Sequence, residues 1–300
     1  MTSTIFDIKN TPSQQLHQLL LSAVAPRPIG LVSTISEDGV PNLAPFSFFG
    51  LFSLTPPVVV FSPSRRVRDG STKHTLDNLQ VVPECVVHLV EEQQAWQMNL
   101  CANEYERDIS EFEKAGFTKQ KATAVKPFLI GECRVKMECR VRDIVSLGDT
   151  GGAGSLVICD IVHLHIADKL LDKDGRFNLF CYKPIARLGG DWYTRLEPAG
   201  LFELPKPARQ LGIGMDRLPA FITGSELFTQ NQLAKLASVA TVPEVDETFR
   251  DDRLEAIRTF MKNNEPEKRI AQYAAELLDE GRIQKAWQVL LRLTPVNLVL

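Results

Sequence analysis

Short runs rich in Val, Ile and Phe, each broken by Gly, Pro or Asp, recur up to about residue 190 and constrain the fold more than any other feature. They occupy residues 29–35, 58–62, 85–90, 132–147, 155–166 and 177–182. Runs of this length, punctuated by turn residues, suit an antiparallel barrel better than regular βαβ units. Two helices interrupt them, one over residues 72–79 and one near 93–102. Beyond Leu204 the pattern changes, after the proline-rich stretch Leu-Pro-Lys-Pro207. Ile270, Tyr273, Ala274, Leu277 and Leu278 fall on one helical face, Gly281 is placed as a C-terminal cap, and Ile283, Trp287, Leu290 and Leu291 resume the spacing. The tail therefore reads as an αα-hairpin preceded by a helix over residues 254–261, and one such pair does not make a repeat array. The division expected is a barrel domain over residues 1–205 and a helical extension over 206–300.

Composition narrows the function classes. The 300 residues are 44% apolar and 24% charged with a formal net charge of −3, a globular composition with no bias toward nucleic acid or an anionic membrane surface. The start MTSTIFDIKN has no basic segment followed by an apolar one, and no apolar run reaches the ~18 residues of a membrane helix. A cytoplasmic location is the expectation, with neither nucleic acid nor membrane as a partner. The six cysteines are scattered without a C-x-x-C pair, which predicts buried reduced thiols. His163 and His165 alternate along a strand without a ligand cluster at zinc spacing, so no metal is expected.

The glycine-dense stretch Gly148-Asp-Thr-Gly-Gly-Ala-Gly154 lacks the Lys-Ser/Thr of a P-loop, and both flanks read as strands where a nucleotide loop must open a helix. A hairpin turn is the better reading. No G-x-S-x-G elbow is present, and the acidic pairs Glu91-Glu92 and Asp251-Asp252 have nothing that sets a catalytic separation. What remains is a concentration of hydroxyls, amides and cations over residues 26–78: Ser33, Thr34, Asn42, Ser47, Ser62, then Arg65, Arg66, Arg68, Lys73, Thr75 and Asn78. This inventory fits a buried phosphate monoester, whose oxygens accept several hydrogen bonds and whose charge needs compensation. It also fits an ordinary basic loop.

Six blocks in register carry a resemblance: Pro-Arg-Pro-Ile-Gly-Leu-Val-Ser-Thr34, Asn-Leu-Ala-Pro-Phe-Ser47, Pro-Pro-Val-Val-Val-Phe-Ser62, Lys-His-Thr75 with Asn78, Glu-Phe-Glu-Lys-Ala-Gly116 and Arg-Leu-Gly-Gly190. Over roughly residues 15–195 the chain resembles the flavin reductase-like, FMN-binding split-barrel family. The resemblance implies a mainly β split barrel with inserted helices, a bound FMN, and NAD(P)H as electron donor to an unknown small-molecule substrate or acceptor. It implies Arg27, Ser33, Thr34, Asn42, Ser47, Ser62, Arg68, Lys73 and Thr75 as cofactor-binding residues. Lys73 and Thr75 match the family's Lys-Asp-Thr phosphate turn, with His74 in place of the aspartate. His165 and Arg187, the latter in the segment ending at Tyr193, are implied as catalytic positions at the open face. A homodimer is implied as well. The alternatives are a non-enzymatic flavin-binding or electron-carrier protein, and a pyridoxine-phosphate-oxidase-like enzyme on the same barrel.

Overall fold

The computed structural model describes residues 2–204, 206, 211–260 and 266–293. It divides into two compact units, Met1–Phe202 and Glu203–Leu300. Pro205 and Pro207 of the proline-rich stretch and Met261 of the predicted tail helix lie outside the described residues.

The first unit is built on seven strands: β1 Gly30–Ile35, β2 Pro41–Phe46, β3 Phe49–Leu54, β4 Pro57–Phe61, β5 Glu84–Leu89, β6 Val135–Ser146 and β7 Ser155–Ile166. They form one sheet in the order β2-β1-β5-β6-β7-β4-β3, with every neighbouring pair antiparallel. The two outermost strands, β2 and β3, follow one another in the chain and are joined only by Ser47 and Phe48. That short link draws the sheet round on itself while no ladder joins β2 to β3, which is a split barrel.

Two of these strands, β2 and β3, were not among the runs read from sequence. Pro41 and Pro45 disguise β2, but both sit on an edge strand, where a missing backbone donor is tolerated. The expected strand at 177–182 is instead a single bridge from Phe177 to Leu171 followed by a 3-10 turn at Leu179–Cys181. The Asn178 side chain accepts from Phe180 N there, a local turn bond that competes with a ladder. The glycine-dense stretch is the β6–β7 hairpin turn, as the flanking patterns require.

The pleat of the sheet separates two faces. Val32, Phe46, Val59, Phe61, Cys85, Val87, Met137, Cys139, Val157 and Cys159 face inward and form the barrel core, into which helix α2 (His74–Val81) lays Leu76 and Leu79. Outside, Leu31 and Leu43 pack with Met98 of α3 (Ala95–Leu100), Phe112 of α4 (Glu111–Lys114) and with Phe117 and Ile130. Both faces of the central strands are covered, so β5 reads as a near-continuous apolar run. Cys85, Cys101, Cys133, Cys139 and Cys159 are buried free thiols and Cys181 is exposed.

The second unit is helical. Its helices α5 (Pro266–Asp279) and α6 (Ile283–Leu290) form the expected hairpin, and Gly281 turns it with φ +75°. Leu277, Leu278, Trp287 and Leu290 are fully buried against Leu236 of Gln230–Ala237 and Leu254 of Asp252–Phe260. The Trp287 indole donates to Leu236 O at 3.2 Å. Among the described residues no helix is long and apolar enough to cross a membrane.

Candidate functional site

Strand β2 lies at the sheet edge, and its flanking elements build a small cleft over it. On the inner side the N-terminus of α2 brings Lys73, His74 and Thr75; on the outer side the chain leaving α3 brings Cys101 to Tyr105. Asn42, Ala44 and Pro45 of β2, Arg66 and Glu111 complete a cavity of 60 Å³. The edge backbone is not left bare, because Leu43 N donates to Glu111 Oε2 at 2.9 Å. Burial pushes the Glu111 carboxyl above its usual range, against that hydrogen bond.

A buried amide–hydroxyl network fixes the inner wall. Asn42 Nδ2 donates to Thr75 Oγ1 at 3.0 Å and Thr34 Oγ1 at 3.3 Å, and Asn78 Nδ2 donates to Thr34 Oγ1 at 3.1 Å. These bonds tie β1 and β2 to the first turn of α2 and so aim the helix N-terminus at the cleft. Lys73 stands there as the N-cap, with extended backbone and no side-chain cap. Its ammonium has no hydrogen-bond or ion-pair partner among the described residues and lies 5.9 Å from the Phe46 ring centroid. Burial lowers its pKa, and Arg66 adds to the shift. Arg66 is braced by donation to Ser71 Oγ at 3.1 Å, to Thr72 O and to Glu104 Oε1 at 2.9 Å, which leaves its Nη2 without a partner among the described residues. A half-buried cation with no partner, a second cation held beside it and the free N–H groups of a helix start suit an anion.

The glycine-dense turn braces the loop that carries Arg66. Arg65 N donates to Ala153 O at 2.8 Å and Gly152 N to Arg65 O at 3.1 Å. A Cβ on Gly151 would stand 2.8 Å from Val67 O and 3.1 Å from Arg66 O, so only glycine permits this approach. Ser62 lies next to the same turn, its Oγ 2.5 Å from where a Cβ on Gly154 would be. The hydroxyls of Ser47 and Ser62 make no hydrogen bond among the described residues.

Other residues named from sequence go elsewhere. Ser33 and Thr34 are adjacent on β1 and so point to opposite faces; Ser33 Oγ donates to Phe128 O at 2.6 Å on the outside. Arg68 is exposed and pairs with Asp69 at 3.2 Å. Arg27 is spent on backbone: its guanidinium donates to Leu21 O and Val24 O, both at 2.5 Å, and to Leu188 O at 2.9 Å. It thereby gathers orphan carbonyls where α1 (Ser13–Ala23) ends, the task for which a cation at a helix C-terminus is suited. His165 lines neither this cleft nor the larger one described next. Register places it across from Lys136, which faces His88, so it shares the outer face with Ser33. Its Nε2 sits 2.7 Å from Glu138 Oε1, a fully buried carboxylate that also accepts from Thr123 N and Ala124 N.

Arg187 and Tyr193 lie together at a second, larger cleft. The short strand Ile185–Arg187 pairs with Arg27–Pro28 and with Tyr193–Arg195. Arg187 stacks 4.5 Å from the Tyr193 ring centroid and donates to that residue's hydroxyl. The cleft measures 650 Å³, with Ala95, Trp96, Met98 and Asn99 of α3 as its other wall. Helix α3 thus borders the large cleft, and the residues directly after it border the small one. Sequence reasoning missed Glu104 and Glu111 and chose Arg68 over Arg66, because spacing within a basic run does not tell which arginine is buried. Among the described residues no cluster of His, Cys, Asp and Glu is arranged to hold a metal ion.

Comparison with known proteins agrees with this architecture. A protein of Aquifex aeolicus is 37% identical over 190 residues, 63% of this chain and 94% of its own length. Component B of nitrilotriacetate monooxygenase from Bacillus cereus superposes with TM-score 0.64 at 30% identity, over 68% of this chain and all of that one. The 2-nitrobenzoate 2-nitroreductase of Pseudomonas fluorescens gives 0.62 at 28% identity, over 70% of this chain and all of that one. The family model for the flavin reductase like domain matches residues 22–180, ending before the helical unit. With more than half its length matched, the chain belongs to the flavin reductase like domain family.

Proposed function

We propose that the barrel unit holds FMN with its phosphate in the small cleft, and that the protein is an NAD(P)H-dependent flavin reductase-like oxidoreductase working as a homodimer. The observation that carries this reading is Lys73, a half-buried cation with no partner among the described residues, set at the start of α2 beside Arg66. Lys73, Arg66 Nη2 and the first free N–H groups of α2 would hold the phosphate. Thr34, Asn42, Thr75 and Asn78 keep that helix start in place through their mutual hydrogen bonds. Ser47 and Ser62, with hydroxyls free, would offer hydrogen bonds to the polar edge of the flavin. A bound flavin supplies hydride acceptance and onward electron transfer. Arg187 and Tyr193 offer a cation and an aromatic face to a nucleotide in the large cleft, opposite Ala95, Trp96 and Met98 of α3. Ser33, Arg27, Arg68 and His165, engaged elsewhere, are left out of the cofactor contacts. The likeness to nitrilotriacetate monooxygenase component B and to a nitroreductase supports redox chemistry on this fold.

The test is spectroscopic. The purified protein titrates with FMN to about one per chain, and anaerobic NADH or NADPH bleaches the bound flavin with saturable kinetics. Arg187→Ala raises the KM for the nucleotide and leaves kcat and FMN affinity unchanged, the signature of a lost ground-state contact. If dithionite bleaches the flavin and neither nucleotide does, the reductase reading falls and the electron-carrier reading replaces it.

A further inference from the structure

The phosphate cradle contains a carboxylate of its own. Glu104 Oε1 accepts from Arg66 Nε at 2.9 Å, and its Oε2 lies 3.8 Å from Arg68 Nη2. The side chain is half exposed, at 52%, and lines the same cavity as Lys73. Its charge is felt across the cleft, since it favours the protonated form of Lys73 while Arg66 disfavours it. Three other carboxylates nearby are engaged, Glu111 with Leu43 N, Asp69 with Arg68 and Ser71, and Asp77 with Thr72 Oγ1 and Arg107, while Glu106 acts on His74 and not on Lys73. Glu104 is the carboxylate that pairs with the cradle's Arg66 in the protein by itself.

We propose that Glu104 acts as an internal competitor of the flavin phosphate, pairing with Arg66 beside Lys73 so that FMN binds exchangeably. This rests on the reading of the small cleft as the phosphate site. A phosphate monoester arriving at Lys73 and Arg66 Nη2 meets a carboxylate already bonded to the same guanidinium. Like charges that close repel, and the repulsion is paid only by a ligand that carries the phosphate. Glu104 therefore lowers the affinity for FMN and leaves the affinity for riboflavin untouched. It also compensates the arginine each time the phosphate leaves, so the emptied cradle holds no uncompensated cluster of cations.

Glu104→Gln tests this directly, because the amide oxygen still accepts from Arg66 Nε while the charge is gone. Dissociation constants for FMN and riboflavin are measured by fluorescence quenching, with inorganic phosphate as a competitor and a thermal melt to establish folding. The expected result is FMN binding about three- to tenfold tighter, the range for a partly screened like charge, with riboflavin unchanged and phosphate competing at lower concentration. Unchanged or weaker FMN binding overturns the proposal and makes Glu104 a brace for Arg66. Should the wild-type protein bind neither flavin, the functional reading itself fails. If it binds both equally and Lys73→Ala weakens both alike, flavin binding stands but the phosphate lies elsewhere, and the competitor role falls with it.

Discussion

Two groups of buried polar side chains lie on opposite faces of the same sheet, and they differ in whether their hydrogen bonds close. On the outer face His88 is inaccessible, with Nδ1 2.8 Å from Leu31 O and Nε2 accepting from Ile130 N at 2.9 Å. Beside it Glu138 has two backbone N–H donors and His165. Nothing is left over there. On the inner face and its edge, the Thr34–Asn42–Thr75–Asn78 network closes on itself, but next to it Lys73 has no partner among the described residues and Arg66 keeps Nη2 open after bonding Ser71, Thr72 and Glu104. Both groups cost desolvation; the first is offset by protein partners, and on the proposed function the second is completed by the flavin phosphate. A closed polar cluster builds the fold, whereas an open one marks where something binds.

The strongest way to sharpen this contrast is through pH, and its effect falls on the closed side. Burial lowers the His88 pKa from 6.5 to about 3. The folded chain then refuses a proton that the unfolded chain takes up, so stability is intact above pH 6.5 and falls as the pH drops toward 3. The loss expected across that window is on the order of 4 kcal/mol. Glu138 adds to it only lower down: burial opposes its charge, but Thr123 N, Ala124 N and His165 outweigh burial and lower its pKa, so its share is lost below the usual carboxylate range. Denaturant unfolding from pH 7 to 4 measures the slope. His88→Gln keeps one donor and one acceptor without the titrating ring, and it flattens the limb between pH 6.5 and 4.5; a limb of unchanged steepness would show that His88 is not its source.

The open side answers differently. Lys73→Ala removes a charge that has no partner among the described residues, so stability changes by less than about 0.5 kcal/mol, as at sites away from named stabilising features. FMN affinity drops by about 1.5–3 kcal/mol, the worth of a charge-assisted hydrogen bond, and riboflavin affinity stays the same. Titration of both flavins checks this. Equal loss for the two ligands, or a large loss of stability without ligand, would erase the distinction between closed and open clusters.

The sequence disclosed the parts whose signal is local. The punctuated runs at β1, β5, β6 and β7, the helical spacing from Ile270 to Leu291 and the glycine at 281 all act through near neighbours, and each has its counterpart in the fold. Strands β2 and β3 were hidden because their prolines and glycine are tolerated only at a sheet edge, and edge position is a property of the whole barrel. The site was legible as an inventory, not as an assignment. Ser33 and Thr34 read as one pair, yet the pleat sends them to opposite faces. Arg27 announces itself between two prolines, but what it binds is the end of α1, which was not read from sequence at all. Which arginine faces the cleft depends on Glu104 and Ser71, contacts that lie beyond any spacing rule.

The smallest effect expected tests whether the open cluster is held open by the glycine-dense turn. Gly151 lets the β6–β7 turn lie against the backbone of Arg66 and Val67, and an added methyl would meet Val67 O at 2.8 Å. Val67 is exposed, so the loop can yield outward, and Gly151→Ala costs roughly 1 kcal/mol, the low end of overpacking. The displacement carries Arg66 away from Lys73, and FMN binding weakens by about two- to fivefold, less than one charge-assisted bond. Riboflavin, which needs no cradle, binds as before. His88 and Glu138, on the outer face, have no contact with this turn, so the acid limb of stability is unchanged in the same variant. A Gly151→Ala protein that loses FMN and riboflavin equally would make the turn a general support of the barrel, whereas loss confined to FMN ties it to Lys73 and Arg66.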